Sequence, residues 1–259
     1  MTQRNLTLWL WAVVLAVMGI LLLLHNYLLL TFDVLQLWPL LLVAFGIQIL
    51  VRGDLGFSWA SKNFGITRGS VESGALRADS GELDLRVRVL QREGRLIAGQ
   101  YTARSRPELE VTGNHTALTL LRGKTWLLSQ ANWDLGLAGD LPWDLLLSTY
   151  LGNIEVDMRG LIIGQAHVAT GFGDIRMVVP DNPGGPIHVR STFGDIYLAV
   201  PDNMEAALTV KGSSLFGIHL LNTRWQQYDD RRYATNGYDK AIDPLDLTVS
   251  GTFGDLFLS

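Results

Sequence analysis

The sequence contains no cysteine, so disulfides, thiolate nucleophiles and thiolate metal ligands are all excluded. It is almost free of charge near its start: between residues 6 and 51, Asp33 stands alone among Asp, Glu, Lys and Arg. It also lacks a basic excess, since residues 53–259 carry 19 Lys+Arg against 24 Asp+Glu. Binding to nucleic acid needs a cationic face, so that class of partner is not expected. Neither a G-x-S-x-G nucleophile elbow nor a G-x-x-x-x-G-K-[ST] phosphate loop occurs. These absences point to a non-enzymatic chain with no catalytic residues, no cofactor and no metal.

The sequence does carry long apolar runs. Leu6 to Leu24 is uncharged for 19 residues. As a helix it would extend roughly 28 Å, close to a hydrocarbon core of about 30 Å. Leu35 to Val51 is a second run of 17 residues, at the short end of the spanning range. Trp9, Trp11 and Trp38 lie near the run ends, where indole favours the interface. Pro39 falls near the start of the second run, where it disturbs a helix least. The expectation is a two-helix membrane hairpin over residues 1–52. A single span with a re-entrant second segment and a cleaved signal peptide are the alternatives. Arg4 precedes the first run, and Arg52, Lys62 and Arg68 follow the second, whereas the connector from His25 to Val34 has no Lys or Arg. By the positive-inside rule, both chain ends and the large domain are expected in the cytoplasm.

Behind a linker at 53–73, the sequence repeats itself. Residues 166–182 read AHVATGFGDIRMVVPDN and residues 187–203 read IHVRSTFGDIYLAVPDN, identical at 10 of 17 positions. The segment GTFGDLFLS around Gly254 repeats the centre, and weaker copies surround Gly152 and Gly217. Ile175, Met177 and Val179 share one strand face and Ile196, Leu198 and Val200 repeat it, which is the period of a half-buried strand. Pro180-Asp181-Asn182 and Pro201-Asp202-Asn203 end strands, and the glycines mark corners. The fold class expected is all-β: a β-solenoid-like stack of about 21-residue units, each two strands and two corners. Residues 74–148 form its N-terminal part and 149–259 the repeated units. Alternation at 82–89 and apolar stretches at 109–112, 118–121 and 126–128 read as strands, with turns at Gly113-Asn114 and Gly123-Lys124. Trp133, Trp143 and Leu145 are expected to cover the N-terminal end of the stack.

The segment LPWDLLLSTYLGNIEVDMRGLIIGQAHVATGFGDIRMVVPDN resembles the core of toast-rack domains, also found in adhesin-like proteins. The runs LLLLHNYLLL and LWPLLLVAFGIQIL resemble the transmembrane region of LiaI/LiaF-like bacterial proteins of the cell-envelope stress response. The resemblance implies membrane location, a signalling or regulatory role, and a membrane sensor kinase or other envelope-stress protein as partner. It carries no catalytic residues.

Candidate sites follow from repeat phase. Asp174, Asp195 and Asp255 recur in Phe-Gly-Asp. Stacked about 4.8 Å apart, they could bind calcium, but one carboxylate per rung is few for that ion, and the alternative is capping of corner N–H groups. His167 and His188 share a phase on the polar face, too few for a zinc site. The insertion at 223–243 carries Trp225, Tyr228, Arg231, Arg232, Tyr233 and Tyr238, a composition typical of partner-binding hot spots. Its alternative is a hairpin packed over the side of the stack. Phe253, Phe257 and Leu258 lie in the last unit, whose edge is expected to be open to self-association, giving a homo-oligomer. A self-assembling membrane scaffold and an outward-facing adhesin-like domain are the rival functions.

Overall fold

The computed structural model describes residues 61–91, 94–102, 108–112, 115–122, 132–241 and 244–259. Both apolar runs, the strand expected at 126–128 and the two turns expected near 113 and 123 lie outside these residues. The chain divides into two compact units, Met1–Leu55 and Gly56–Ser259. Apart from one 3-10 turn, Tyr238–Lys240, the described part of the second unit is all β.

Its strands are β1 Ser61–Thr67, β2 Ser73–Glu82, β3 Asp84–Val89, β4 Arg95–Thr102, β5 Glu108–Thr112, β6 His115–Arg122 and β7 Asn132–Leu137. There follow β8 Pro142–Leu151, β9 Ile154–Asp157, β10 Ile162–Phe172, β11 Ile175–Val178, β12 Asn182–Pro183, β13 Ile187–Phe193 and β14 Ile196–Ala199. The last are β15 Ala206–Gly212, β16 Phe216–Leu220, β17 Trp225–Asp229, β18 Arg232–Thr235 and β19 Leu245–Leu258.

Two sheets face each other across one core. Each rung contributes one strand to each sheet and bends at a corner between them. In the first sheet the order is β5-β6-β2-β8-β10-β13-β19-β15-β18-β17, with β2 through β15 parallel. In the second sheet it is β1-β4-β7-β3-β9-β11-β14-β19-β16. Strand β19 serves both: Leu247 pairs with Ile187 in the first sheet, and Leu256 pairs with Ile196 in the second. Alternate residues point inward and stack by type, so Leu145, Ala166, Ile187 and Leu247 form one buried row and Ile154, Ile175, Ile196 and Leu256 another. No single rung could bury such a row alone.

The corner explains the Phe-Gly-Asp motif. Gly152, Gly173, Gly194 and Gly254 have φ of 145°, 140°, 134° and 120°, a region essentially reserved for glycine. A Cβ on Gly173 would overlap the carbonyl oxygen of Gly152, and one on Gly194 that of Gly173. Corner N–H groups bond rung to rung: Gly152 to Phe172 C=O at 2.8 Å and Gly173 to Phe193 C=O at 2.9 Å. Inside the corner, the buried Thr170 hydroxyl donates to Gly152 C=O at 3.2 Å.

Four expectations change. Residues 61–67, expected as linker, form β1 and pair with β4. The boundary expected at 148/149 falls inside β8, which with β9 already makes a full rung paired on both sides. Trp143 and Leu145 therefore lie inside the core rather than over its end, with Trp143 Nε1–H donating to Ala138 C=O at 2.8 Å. The weak copy around Gly217 is offset by one residue: Phe216 pairs with Gly254 and Gly217 with Asp255.

The largest difference is spatial order. The sequence predicts rungs stacked in chain order, leaving Phe253, Phe257 and Leu258 on an open edge. Instead β19 lies between β13/β14 and β15/β16, hydrogen-bonded on both sides. Its backbone is saturated and Leu258 is fully buried, so the last unit offers no edge. The physical reason is match of side chains: β19 carries the full Thr-Phe-Gly-Asp corner that continues the rows of β13/β14. The β15/β16 unit has Phe216 in place of the corner glycine, so it suits the outside position.

Candidate functional site

The outer surface of the second sheet is built from three parallel rows of side chains. The first row is a hydrogen-bonded ladder. Asp84 Oδ1 accepts the N–H of Asn153 at 2.7 Å, and Asn153 Oδ1 accepts that of Asp174 at 2.9 Å. Asp174 Oδ1 accepts the N–H of Asp195 at 3.0 Å, and Asp195 Oδ1 that of Asp255 at 2.9 Å. Each side chain thus caps the corner of the next rung, which commits one oxygen of Asp174 and one of Asp195. The ladder ends where His219 Nε2 meets Asp255 Oδ1 at 3.1 Å.

The second row runs Asp134, Arg86, Glu155, Arg176, Tyr197, Phe257, His219, each on the strand next to the last. Its character changes along the rack. At the N-terminal side it is ionic: Arg86 Nε donates to Glu155 Oε2 at 3.0 Å, which raises the Arg86 pKa. At the C-terminal side it is aromatic: the Arg176 guanidinium lies 5.2 Å from the Tyr197 ring centroid, Tyr197 stacks on Phe257 at 4.9 Å, and Phe257 stacks on His219 at 5.0 Å. The third row adds Arg88, paired with Asp134 at 2.9 Å, then Asp157, Val178 and Ala199. Asp157 is held below its usual pKa chiefly by the hydrogen bond from Arg159.

Three hollows open along this surface. One is bordered by Phe64, Arg88, Arg95 and Gln100, the next by Arg86, Asn132, Glu155 and Asp174, and the third by Asp157, Arg176, Tyr197 and Ala199. Beside them, on the corner, Phe172, Phe193 and Phe253 stack at 4.7 Å with each ring 39% exposed. Each phenylalanine ring thus shows its edge to solvent and its face to its neighbour.

The first sheet carries the histidine pair. His167 and His188 pair in register, with ring centroids 4.8 Å apart. His188 has a lowered pKa, from partial burial first and then from the charges of His167 and Lys211.

The insertion splits in two. Trp225 is 4% exposed and Tyr233 8% exposed, and both pack into the core as part of the β17–β18 hairpin that caps β15. They are therefore packing residues, and the expectation that they form a hot spot with the rest does not hold. Tyr228, Arg231 and Arg232 face solvent, and Tyr238 is half-buried. Arg231 Nη1 donates to Gly212 C=O at 2.9 Å, and Arg232 Nη2 to the Tyr238 hydroxyl at 3.2 Å. Sequence reasoning missed Arg224, which donates to Pro201 C=O at 3.2 Å, Met204 C=O at 2.6 Å and Asp202 Oδ1 at 3.1 Å, tying the cap to a repeat turn. Its position just before the buried Trp225 was the available signal. The outer row of the second sheet was also missed, although the positions between its apolar residues mark it.

Two parallel-stranded sheets joined by glycine corners, with ladders of like residues, define a toast-rack β fold. A candidate cell adhesion protein from Clostridium sporogenes has this fold, at TM-score 0.67 and 14% identity over 77% of this chain and 98% of that one. A candidate adhesin from Bacteroides fragilis aligns at TM-score 0.28 and 8% identity, over 77% of this chain and 96% of that one. That second score is too low to bear on the fold. No curated protein sequence matches the chain. Ahead of the rack, residues 9–50 match the LiaI-LiaF-like transmembrane region, which implies membrane association.

Proposed function

We propose that this chain is a non-enzymatic regulator or sensor of the cell-envelope stress type, working through protein contacts of a membrane-tethered β rack. The observation that carries the reading is the LiaI-LiaF-like segment at 9–50 on the same chain as the rack. The rack suits a contact function, because its polar groups largely bond one another and hold one rigid surface. The presenting face is the outer surface of the second sheet, together with Tyr228 and the arginines of the cap. The partner is a membrane sensor kinase or another envelope-stress protein, and the rack faces the cytoplasm beside it.

A photo-crosslinking residue at Tyr197 or Tyr228 in living cells tests this. The expected product is a crosslink to one membrane protein, lost when residues 9–50 are replaced by an unrelated span. Crosslinks no richer than at an arbitrary surface position such as Lys62 refute it. The adhesion description of the structural neighbour favours a second reading, an outward-facing adhesin-like domain. Protease applied to spheroplasts distinguishes the two: a protected rack supports the regulator, and a digested one supports the adhesin.

A further inference from the structure

The insertion caps only half of one end of the rack. There the first sheet continues past β15 into β18 and β17. The second sheet stops at β16, whose sole strand partner among the described residues is β19.

In a parallel ladder, alternate residues turn both N–H and C=O to the same neighbour. Leu221 N–H donates to Leu258 C=O at 2.8 Å, which fixes the phase. Gly217, His219 and Leu221 bond to β19, so Phe216, Ile218 and Leu220 aim their groups away from it. Phe216 N–H is taken by Ser213 C=O at 3.3 Å in the preceding turn. The edge therefore offers Phe216 C=O, Ile218 N–H and C=O, and Leu220 N–H and C=O, without backbone partners among the described residues.

Among the described residues nothing blunts this edge. The strand Phe216-Gly217-Ile218-His219-Leu220 has no Lys, no Pro and no bulge, the devices by which edges are usually protected. Its inward side chains open progressively from Phe216, 8% exposed, through the half-buried Ile218 to Leu220 at 41%. Leu215 and Leu221 flank it at 63% and 65% exposure.

The geometry points to β16 as a dimerisation edge, to which a second copy of this chain adds its own β16 antiparallel, centred on Ile218. The free groups suit that occupant, because all but Leu220 C=O, whose mate Phe216 N–H is bonded to Ser213, complement themselves about Ile218. Ile218 N–H meets Ile218 C=O in both directions, and Leu220 N–H meets Phe216 C=O in both directions. Each His219 then falls opposite a glycine, Gly217 of the other copy, which leaves room for the imidazole. The inward residues of the two strands join end to end and cover the half-open core. The pairing is two-fold and closed, so it yields a dimer and not a fibre. It holds whether or not the regulatory reading does.

Because the chain has no cysteine, a single introduced one is unambiguous. In the full chain, purified in detergent, Ile218→Cys should crosslink to itself under mild oxidation, since paired Cα atoms would lie about 5.5 Å apart. Gln226→Cys, on the exposed face of β17, should not. Light scattering should give a dimer for the unaltered chain. Leu220→Pro deletes one required N–H but spares the bonds to β19, and should weaken the dimer at least tenfold. If Leu220→Pro also unfolds the rack, the crosslink at 218 alone decides. A monomer at tens of micromolar overturns the proposal. So does a dimer that persists in Leu220→Pro and fails to crosslink through 218, which would place association in the membrane segment or on another face.

Discussion

The carboxylate ladder separates two roles for the repeated Asp, and a pair of substitutions at Asp195 tells them apart. If the side chain serves only as an acceptor for the N–H of Asp255, then Asn serves as well, because its Oδ1 accepts in the same place. The rack already contains this experiment: Asn153 fills the equivalent position and accepts the Asp174 N–H at 2.9 Å, the same distance as Asp195 to Asp255. Asp195→Asn should therefore shift stability by less than about 0.5 kcal/mol. Asp195→Ala removes the acceptor and leaves a partly buried N–H at the corner. Such a loss costs about 1–3 kcal/mol when fully buried, and half-exposure of the site reduces it to about 1–2 kcal/mol. For a domain near 200 residues that is a fall of roughly 2–8 °C in Tm. Thermal unfolding of the full chain in detergent, followed by circular dichroism, reads both variants. Equal damage from Asn and Ala would refute the reasoning, since it would show that the charge matters, as an ion site requires. An added calcium-dependent rise in Tm that Asn abolishes would make that case directly.

Three further outcomes are expected. Gly173→Ala should cost about 2–4 kcal/mol, from backbone strain and a broken corner bond, whereas Gly81→Ala, with open space around it, should be neutral or slightly stabilising; similar Tm values for the two would refute the corner argument. Trp225→Ala should cost about 3–5 kcal/mol as a core cavity, and Tyr228→Ala less than about 0.5 kcal/mol, which chemical denaturation of the two variants checks. Because His188 titrates below its ordinary 6.5 in the folded state, the unfolded chain takes up its proton first. Stability should hold above pH 6.5 and fall as pH drops from there through the folded pKa. Tm measured between pH 7.5 and 5 should show that slope, and His188→Gln should flatten it.

Much of this fold is legible in the sequence, because a rack reuses one physical solution. Period-2 alternation at Ile175-Met177-Val179 gives the inward face directly, and the 21-residue spacing gives the rung. The glycine of Phe-Gly-Asp announces a corner because no other residue accepts its φ. What stays hidden is neighbour choice between rungs of similar composition. Nothing local to Phe257 tells whether its strand lies outside or between two others. That depends on whether β19 or the less regular β15/β16 unit better continues the row ending at Phe193, a comparison of packings rather than of patterns. The same reason hides the site. Trp225 and Tyr228 look alike in sequence, three residues apart in an aromatic loop, and only the sheet edge beneath them decides that one packs and the other faces water. The row from Asp134 to His219 draws one residue from each of seven strands, so alternation marks each position as outward but not which residues become neighbours.

The placement of β19 also orders events during synthesis. From β8 to β14 each rung can dock as it leaves the ribosome, because β8/β9 seats on the earlier β2/β3 and each later rung on the one before it. The β15/β16 unit and its hairpin cannot, because their seat does not exist until the later strand has arrived to supply it. Until then the growing rack carries an open parallel edge at β13/β14 and a detached unit of similar pattern nearby. The chain must keep those two apart, and the missing corner glycine at Phe216 is what makes their premature union a poor fit.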